Sequence, residues 1–151
     1  MVESSSTGGG QPNVGVLMWV AARSLETRAY DALVAAGATD VTPAQARLMA
    51  QVDPGGSRVV TLAARARTTK QSAAALVDQL EQAGYVERVA DPADGRAKLV
   101  RLTPRAHAVG EHADAEVARA LAEWEEHVGA ARMRELEETM AMLREITDPW
   151  A

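Results

Sequence analysis

Cysteine is absent from this chain. Disulfide frameworks, cysteine-rich zinc sites and thiol chemistry are therefore excluded, and the absence fits a reducing compartment. Phenylalanine is missing as well, so three tryptophans and two tyrosines form the whole aromatic inventory. No stretch approaches the roughly 18 uninterrupted apolar residues that a membrane span requires. The opening residues 1–12 are rich in Ser and Gly and carry an acid at Glu3 instead of a basic start to an apolar segment. The expectation is a disordered tail over 1–12, no standard signal, no membrane association and a cytoplasmic protein.

Catalytic and metal-binding patterns are also missing. The sequence holds no Ser-His-Asp grouping, Walker loop or H-E-x-x-H run. His107, His112 and His127 lack the i, i+4 pairing of a helical metal site with one another, and a pair of His112 with Glu116 is spatially possible. They read as surface residues. The carboxylates Glu123, Glu125, Glu126 and Glu135, Glu137, Glu138 read as solvated helix faces. Neither a cofactor, a metal nor an enzyme activity is expected.

What is present is 47% apolar content in 151 residues, enough for one domain with its own core. The net charge of −5 hides an uneven distribution. Between Arg58 and Arg105 nine basic residues face five acidic ones, a surplus of four, while the remainder is acidic. A basic middle within an acidic chain is the footprint of a surface aimed at a polyanion.

Apolar residues recur every three or four positions from Val14 to Ala36, at Met18, Ala22, Leu25, Ala29, Leu33 and Ala36, which predicts a long helix ended by Gly37. Thr42-Pro43-Ala44-Gln45 is a capping-box start for a second helix running to about Val52. Asp53-Pro54-Gly55-Gly56 breaks the chain. A short helix follows over Val60 to Ala66 with Leu62, Ala63 and Ala66 inward, then a turn at Arg67-Thr68. Thr69 is placed to cap a helix from Lys70 to Ala83 that buries Ala73, Leu76, Val77 and Leu80 and stops at Gly84. Two short helices joined by a tight turn describe a helix-turn-helix, although a glycine is missing from the turn and Arg67 stands near it. Past Thr103-Pro104 two more helices are expected, with apolar stripes at Val109, Ala113, Val117, Leu121, Trp124 and Val128, then at Met133, Leu136, Met140, Leu143, Ile146 and Trp150. Gly129 divides them.

Between the helix-turn-helix and these last helices, Glu87 to Ala90 and Leu99 to Leu102 flank Asp91-Pro92-Ala93-Asp94-Gly95-Arg96, which predicts a hairpin with an arginine at its tip. Here the chain closely resembles the multiple antibiotic resistance regulator (MarR) family, whose wing carries a D-P-x-D-x-R run followed by L-T, present as Leu102-Thr103. Thr42 to Gln45, Thr61-Leu62-Ala63, Leu76 to Glu81 and Gly84 to Arg88 extend the likeness. The resemblance implies a mainly α fold with a small β-hairpin wing: a winged helix-turn-helix lobe over 42–103, and dimerisation helices over 13–36 and 104–151 of a single 13–151 domain. It implies that Arg88 joins the recognition helix to the wing and that Arg96 enters a minor groove, with Asp94 bracing Arg96 or only shaping the turn.

A recognition helix presents its first turn to base edges, here Thr68, Thr69, Lys70, Gln71 and Ser72, with Ala74 and Ala75 able to meet thymine methyls. Thr69 can serve as a cap alone. Arg88, Lys98 and Arg101 share the hairpin with Arg96. The expected dimer interface holds Leu17, Met133, Leu136, Met140, Leu143 and Ile146. Trp19, Tyr30 and Met49 are candidates to line a crevice for a small aromatic or phenolic ligand, such as releases many members of the family from DNA. The function expected is a homodimeric regulator, a repressor, on a pseudo-palindromic double-stranded operator. The rival is a winged-helix module that contacts proteins, its basic stretch merely solvated.

Overall fold

The computed structural model describes residues 12–149. The expected tail, except Pro12, and Trp150 lie outside the described residues. Eight elements follow one another: α1 (Val14–Ala35), α2 (Pro43–Met49), α3 (Val59–Arg65), α4 (Lys70–Gln82), β1 (Val86–Asp91), β2 (Asp94–Leu102), α5 (Pro104–Val128) and α6 (Ala130–Thr147). The mainly helical architecture with one hairpin is the one the sequence implied.

The helix starts obey local chemistry. Thr42 accepts the Gln45 amide at 3.3 Å while the Gln45 side chain accepts the Thr42 amide at 2.8 Å, closing the capping box. Gln45 is itself buried and reaches Gln79 of α4 at 2.9 Å. Helix α2 ends at Met49, three residues short of the expected Val52. Gln51 and Val52 donate instead to the carbonyls of Leu48 and Met49, tightening the last turn.

Three helices end in one way. The amide two residues beyond each C-cap returns to the carbonyl five residues back: Ala38 to Leu33, Thr68 to Ala63 and Tyr85 to Leu80. That closure needs a left-handed residue between, and Gly37 and Gly84 supply it at φ 109° and 80°. After α3 the same place is held by Arg67 at φ 49°, the one non-glycine residue with positive φ among the described residues. The missing turn glycine therefore changes the residue and not the turn. Ala66, expected inward, is the exposed C-cap of α3.

The core sits inside the lobe formed by α2, α3, α4 and the hairpin, where Leu48, Leu62, Val77, Leu80, Tyr85 and Val100 are fully buried. Strands β1 and β2 pair antiparallel from Val86↔Leu102 to Ala90↔Lys98. Ser57 adds an isolated bridge to Val100, a single-residue third strand. Thr103 joins lobe to layer: its hydroxyl donates to the Gly84 carbonyl at 2.7 Å and also accepts the Ala106 amide to cap α5. Outside the lobe α1 packs along α5, and α6 folds back on α5. Arg28 of α1 ties that layer with bonds to Glu116 at 2.6 Å and to both carboxylate oxygens of Glu123 at 2.6 and 2.9 Å. Glu123 is thus an interhelical partner, which a solvated-face reading did not foresee.

Candidate nucleic-acid interface

The turn of the wing is shorter than expected. Asp91 pairs with Asp94 around the two residues Pro92 and Ala93, and the register then jumps, so that Gly95, Arg96 and Ala97 bulge out of β2 before Lys98 meets Ala90. Arg96 therefore stands on a bulge just past the tip and not in the turn. The Asp91 carboxylate makes that geometry. Its Oδ1 accepts the Ala93 amide at 2.9 Å, and its Oδ2 accepts from the Arg58 guanidinium at 2.9 and 2.6 Å. The Ala93 amide and the Arg58 cation hold this buried acid below the usual carboxylate range.

Asp94 does not brace the Arg96 side chain. Its Oδ1 accepts the Arg96 amide at 3.1 Å, and its Oδ2 lies 3.8 Å from Arg58. It shapes the main chain that carries Arg96. Arg58, which caps no helix by its side chain, is the residue that sequence reasoning missed. Its partner lies 33 positions away, and no periodicity carries such a pair.

On α4 the Thr69 hydroxyl accepts the Ser72 amide at 3.0 Å, so capping is its structural role. Lys70, Gln71, Ser72 and Ala75 are exposed, while Thr68 and Ala74 are half-buried. Asp78 and Glu81, further along α4, are gripped by Arg88 from β1. Arg88 thus ties α4 to the hairpin, and its guanidinium is spent on those two carboxylates.

These bonds sort the basic middle of the chain into two sets. Arg58 pairs with Asp91 and Asp94, Arg88 with Asp78 and Glu81, and Arg101 with Glu87 at 3.2 Å. All five acids of the segment are thereby engaged. Arg65 binds Asp53 at 2.9 Å, and Arg105 lies 3.5 Å from Asp40. Four cations, Arg67, Lys70, Arg96 and Lys98, are exposed and without an ion-pair partner among the described residues. They stand on the turn before α4, its first residue, and the wing.

Where the lobe meets the helical layer, Tyr85 is fully buried and its hydroxyl donates to Asp40 at 2.6 Å, with the Arg105 guanidinium 4.3 Å over its ring. Burial, then the hydrogen bond to Asp40, pushes the phenol up to about 12, and the same hydrogen bond lowers Asp40. Arg105 also donates to the Ala83 carbonyl.

The expected ligand residues are not gathered. Trp19 is 60% exposed with Arg23 stacked 5.2 Å over its ring, and Tyr30 donates to the Val41 carbonyl at 2.8 Å. Met49 borders a hollow of about 290 Å³ with Val52, Leu102, Ala106 and His107. Glu116, the carboxylate that fitted a metal pairing with His112, is held by Arg28 and Arg119. Among the expected dimer residues, Leu17, Leu136, Met140 and Ile146 are exposed and Leu143 is half-buried, but Met133 is 5% exposed and packs within the protomer. Among the described residues no helix is long and apolar enough to cross a membrane.

A helix-turn-helix followed by a hairpin wing, beside a separate helical layer, defines a winged-helix fold. Residues 39–97 match the model described as the MarR family, the family that the sequence resembles. The whole chain is similar in fold to the transcriptional regulator Tm0710 from Thermotoga maritima (22% identity, TM-score 0.63, 91% of this chain and 94% of that one). CouR from Rhodococcus jostii RHA1, solved with p-coumaroyl-CoA, gives 23% identity and a TM-score of 0.67 over 92% and 94% of the two chains. NadR in complex with 4-hydroxyphenylacetate gives 25% and 0.66 over 95% and 99%. No curated protein matches the sequence.

Proposed function

We propose that this chain is a homodimeric, DNA-binding transcription regulator that represses genes near its own. The observation that carries the reading is the location of the unpaired cations: with every acid of the basic segment engaged, Arg67, Lys70, Arg96 and Lys98 remain on the edge that a winged helix turns toward a duplex. Residues 42–103 read DNA. Gln71 and Lys70, exposed in the first turn of α4, face base edges in the major groove, with Ala74 and Ala75 beside them, while Arg96 and Lys98 contact the minor groove and its phosphates. Arg88 and Asp94 act through the positions of other residues. Residues 13–36 and 104–151 supply the dimer, because Leu17, Leu136, Met140 and Ile146 are large apolar side chains left exposed among the described residues.

Twofold symmetry sets the half-site centres about 10 bp apart, one helical turn. CouR and NadR, solved with an aromatic thioester and an aromatic acid, support a small aromatic effector here, with the hollow beside Met49 as its seat. The test is binding to a library of genomic fragments at low and moderate salt. Selective retention of DNA upstream of its own gene, weakening steeply with salt, is the expected result. Absence of any retention at low salt would sink the proposal in favour of a protein-contact module.

A further inference from the structure

Arg67 holds a place that the rest of the chain gives to glycine. At the ends of α1 and α4 the returning amide is accommodated by Gly37 and Gly84, whereas after α3 the same pair of bonds, Arg67 to Ala64 at 3.1 Å and Thr68 to Ala63 at 2.9 Å, forms around an arginine at φ 49°. A left-handed residue with a Cβ is unfavourable relative to glycine, and such outliers persist where something other than the local fold holds them. Packing does not hold this one. The residue is exposed, its guanidinium has no ion-pair or hydrogen-bond partner among the described residues, and Asp53, which lines the same hollow, is bound by Arg65 and Ser57. Arg67 also lies two residues before Thr69, whose cap begins the recognition helix, and it is one of the four cations without an ion-pair partner among the described residues.

We propose that Arg67 is a contact to the DNA phosphate backbone, a strained turn residue whose charge anchors the N-terminal end of the recognition helix. The inference rests on the DNA-reading function above and adds a residue to it. An arginine there neutralises a phosphate flanking the bases met by Lys70 and Gln71, fixing the depth of α4 without reading sequence itself. Fold stability and DNA affinity should then respond to this side chain with opposite signs.

The experiment compares Arg67→Gly, Arg67→Asn and Arg67→Lys in the full chain, using a labelled random-sequence duplex and an operator duplex selected from a randomised library by the unaltered protein. Arg67→Gly is expected to raise the thermal midpoint by a few degrees, as relief of strain of this order does. It should weaken both duplexes several-fold and flatten the dependence of log K on log salt by about 1.8 for the two protomers. Arg67→Asn, which tolerates the left-handed backbone but has no charge, should lose the same slope. Arg67→Lys should keep most of it. A slope on random DNA unchanged in the Gly and Asn variants overturns the proposal, as does a lower midpoint for Arg67→Gly, and weakening confined to the operator would assign Arg67 only to turn geometry. If the unaltered protein binds neither duplex at low salt, the DNA-reading function itself falls and takes this residue with it.

Discussion

The lobe and the helical layer are unfinished in different ways. In the lobe Leu48, Leu62, Val77, Leu80 and Val100 are sealed inside, yet four cations have no ion-pair partner among the described residues. In the layer Arg28 is satisfied by two glutamates, yet Val14 is 71%, Met142 63% and Ile146 84% exposed. What is missing from the first is negative charge, and what is missing from the second is apolar surface. Two different partners are implied, and each region discloses the chemistry of its own. A duplex suits the lobe and a second copy suits the layer, since one large apolar contact of on the order of 2,000 Å² is typical of obligate dimers.

The largest effect should come from charging the layer. Leu136→Asp combined with Ile146→Asp would place carboxylates in the proposed apolar interface at several kcal/mol, so light scattering should fall from twice the chain mass to the chain mass while circular dichroism retains the lobe. A dimer mass that survives the double substitution would break the comparison at its apolar half.

Next in size are two substitutions in the lobe that should fail differently. Gln71→Ala should weaken the operator by roughly 1–3 kcal/mol per half-site and spare both random DNA and the salt slope. Arg96→Ala should weaken both duplexes and flatten the slope by about 0.9 for each lost contact. Titration on both duplexes at several salt concentrations reads this out, and unchanged slopes for Arg96→Ala would mean that the wing does not reach DNA.

Asp91→Ala tests the paired set of charges against the unpaired one. It removes two bonds from Arg58 and one from the Ala93 amide, which should lower stability by about 1–3 kcal/mol in urea unfolding, toward the low end because Arg58 can turn to water. Arg96→Ala should leave the same unfolding curve unmoved.

The smallest effect is with pH. Asp40, Asp53, Asp91 and Glu123 hold their protons more weakly folded than unfolded, chiefly through Tyr85, Arg65, the Ala93 amide and Arg28 respectively. As pH falls the unfolded chain protonates first, so their stabilisation is complete above about pH 5 and is lost below it. Tyr85 behaves in the reverse sense. Its phenol moves from 10.0 to about 12 on folding, so the unfolded chain deprotonates first and stability declines between those values. Urea midpoints across pH should show a plateau between the two limbs, and Tyr85→Phe should flatten the alkaline one.

The elements legible in the sequence were those fixed by nearby residues: the Thr42 box, the Thr69 cap, the Gly84 stop, the wing between two apolar runs. Matches of local chemistry to local structure need no knowledge of the fold. Arg58 with Asp91, Arg88 with Asp78 and Glu81, and Arg28 with Glu116 and Glu123 were hidden, since each joins elements far apart in the chain. That concealment also blurred the site. Arg88 and Arg96 are equally basic as letters, and only their partners separate a brace from a free cation. The wing turn was expected to be longer, because Asp-Gly signals a turn locally, whereas the chain already bends at Pro92 and Ala93 beside the Asp91 carboxylate. Met133 fits the exposed stripe by spacing, but the fold of α6 onto α5 buries it.

Ser57 and Val100 exchange both main-chain hydrogen bonds, at 2.9 and 2.8 Å, and the very next residue, Arg58, grips the far end of the wing. The hairpin is therefore pinned twice to the stretch that enters α3, once at mid-length and once near its tip. A flap hinged at one end could swing alone; this one moves only if α3 moves, and α3 is packed on α4. Wing and recognition helix are a single lever, so any torque applied through α1 and α5 turns both together. Amide protons at Ser57 and Val100 should accordingly exchange with solvent only when the whole lobe opens, and any displacement of α3 carries the wing and α4 in one stroke.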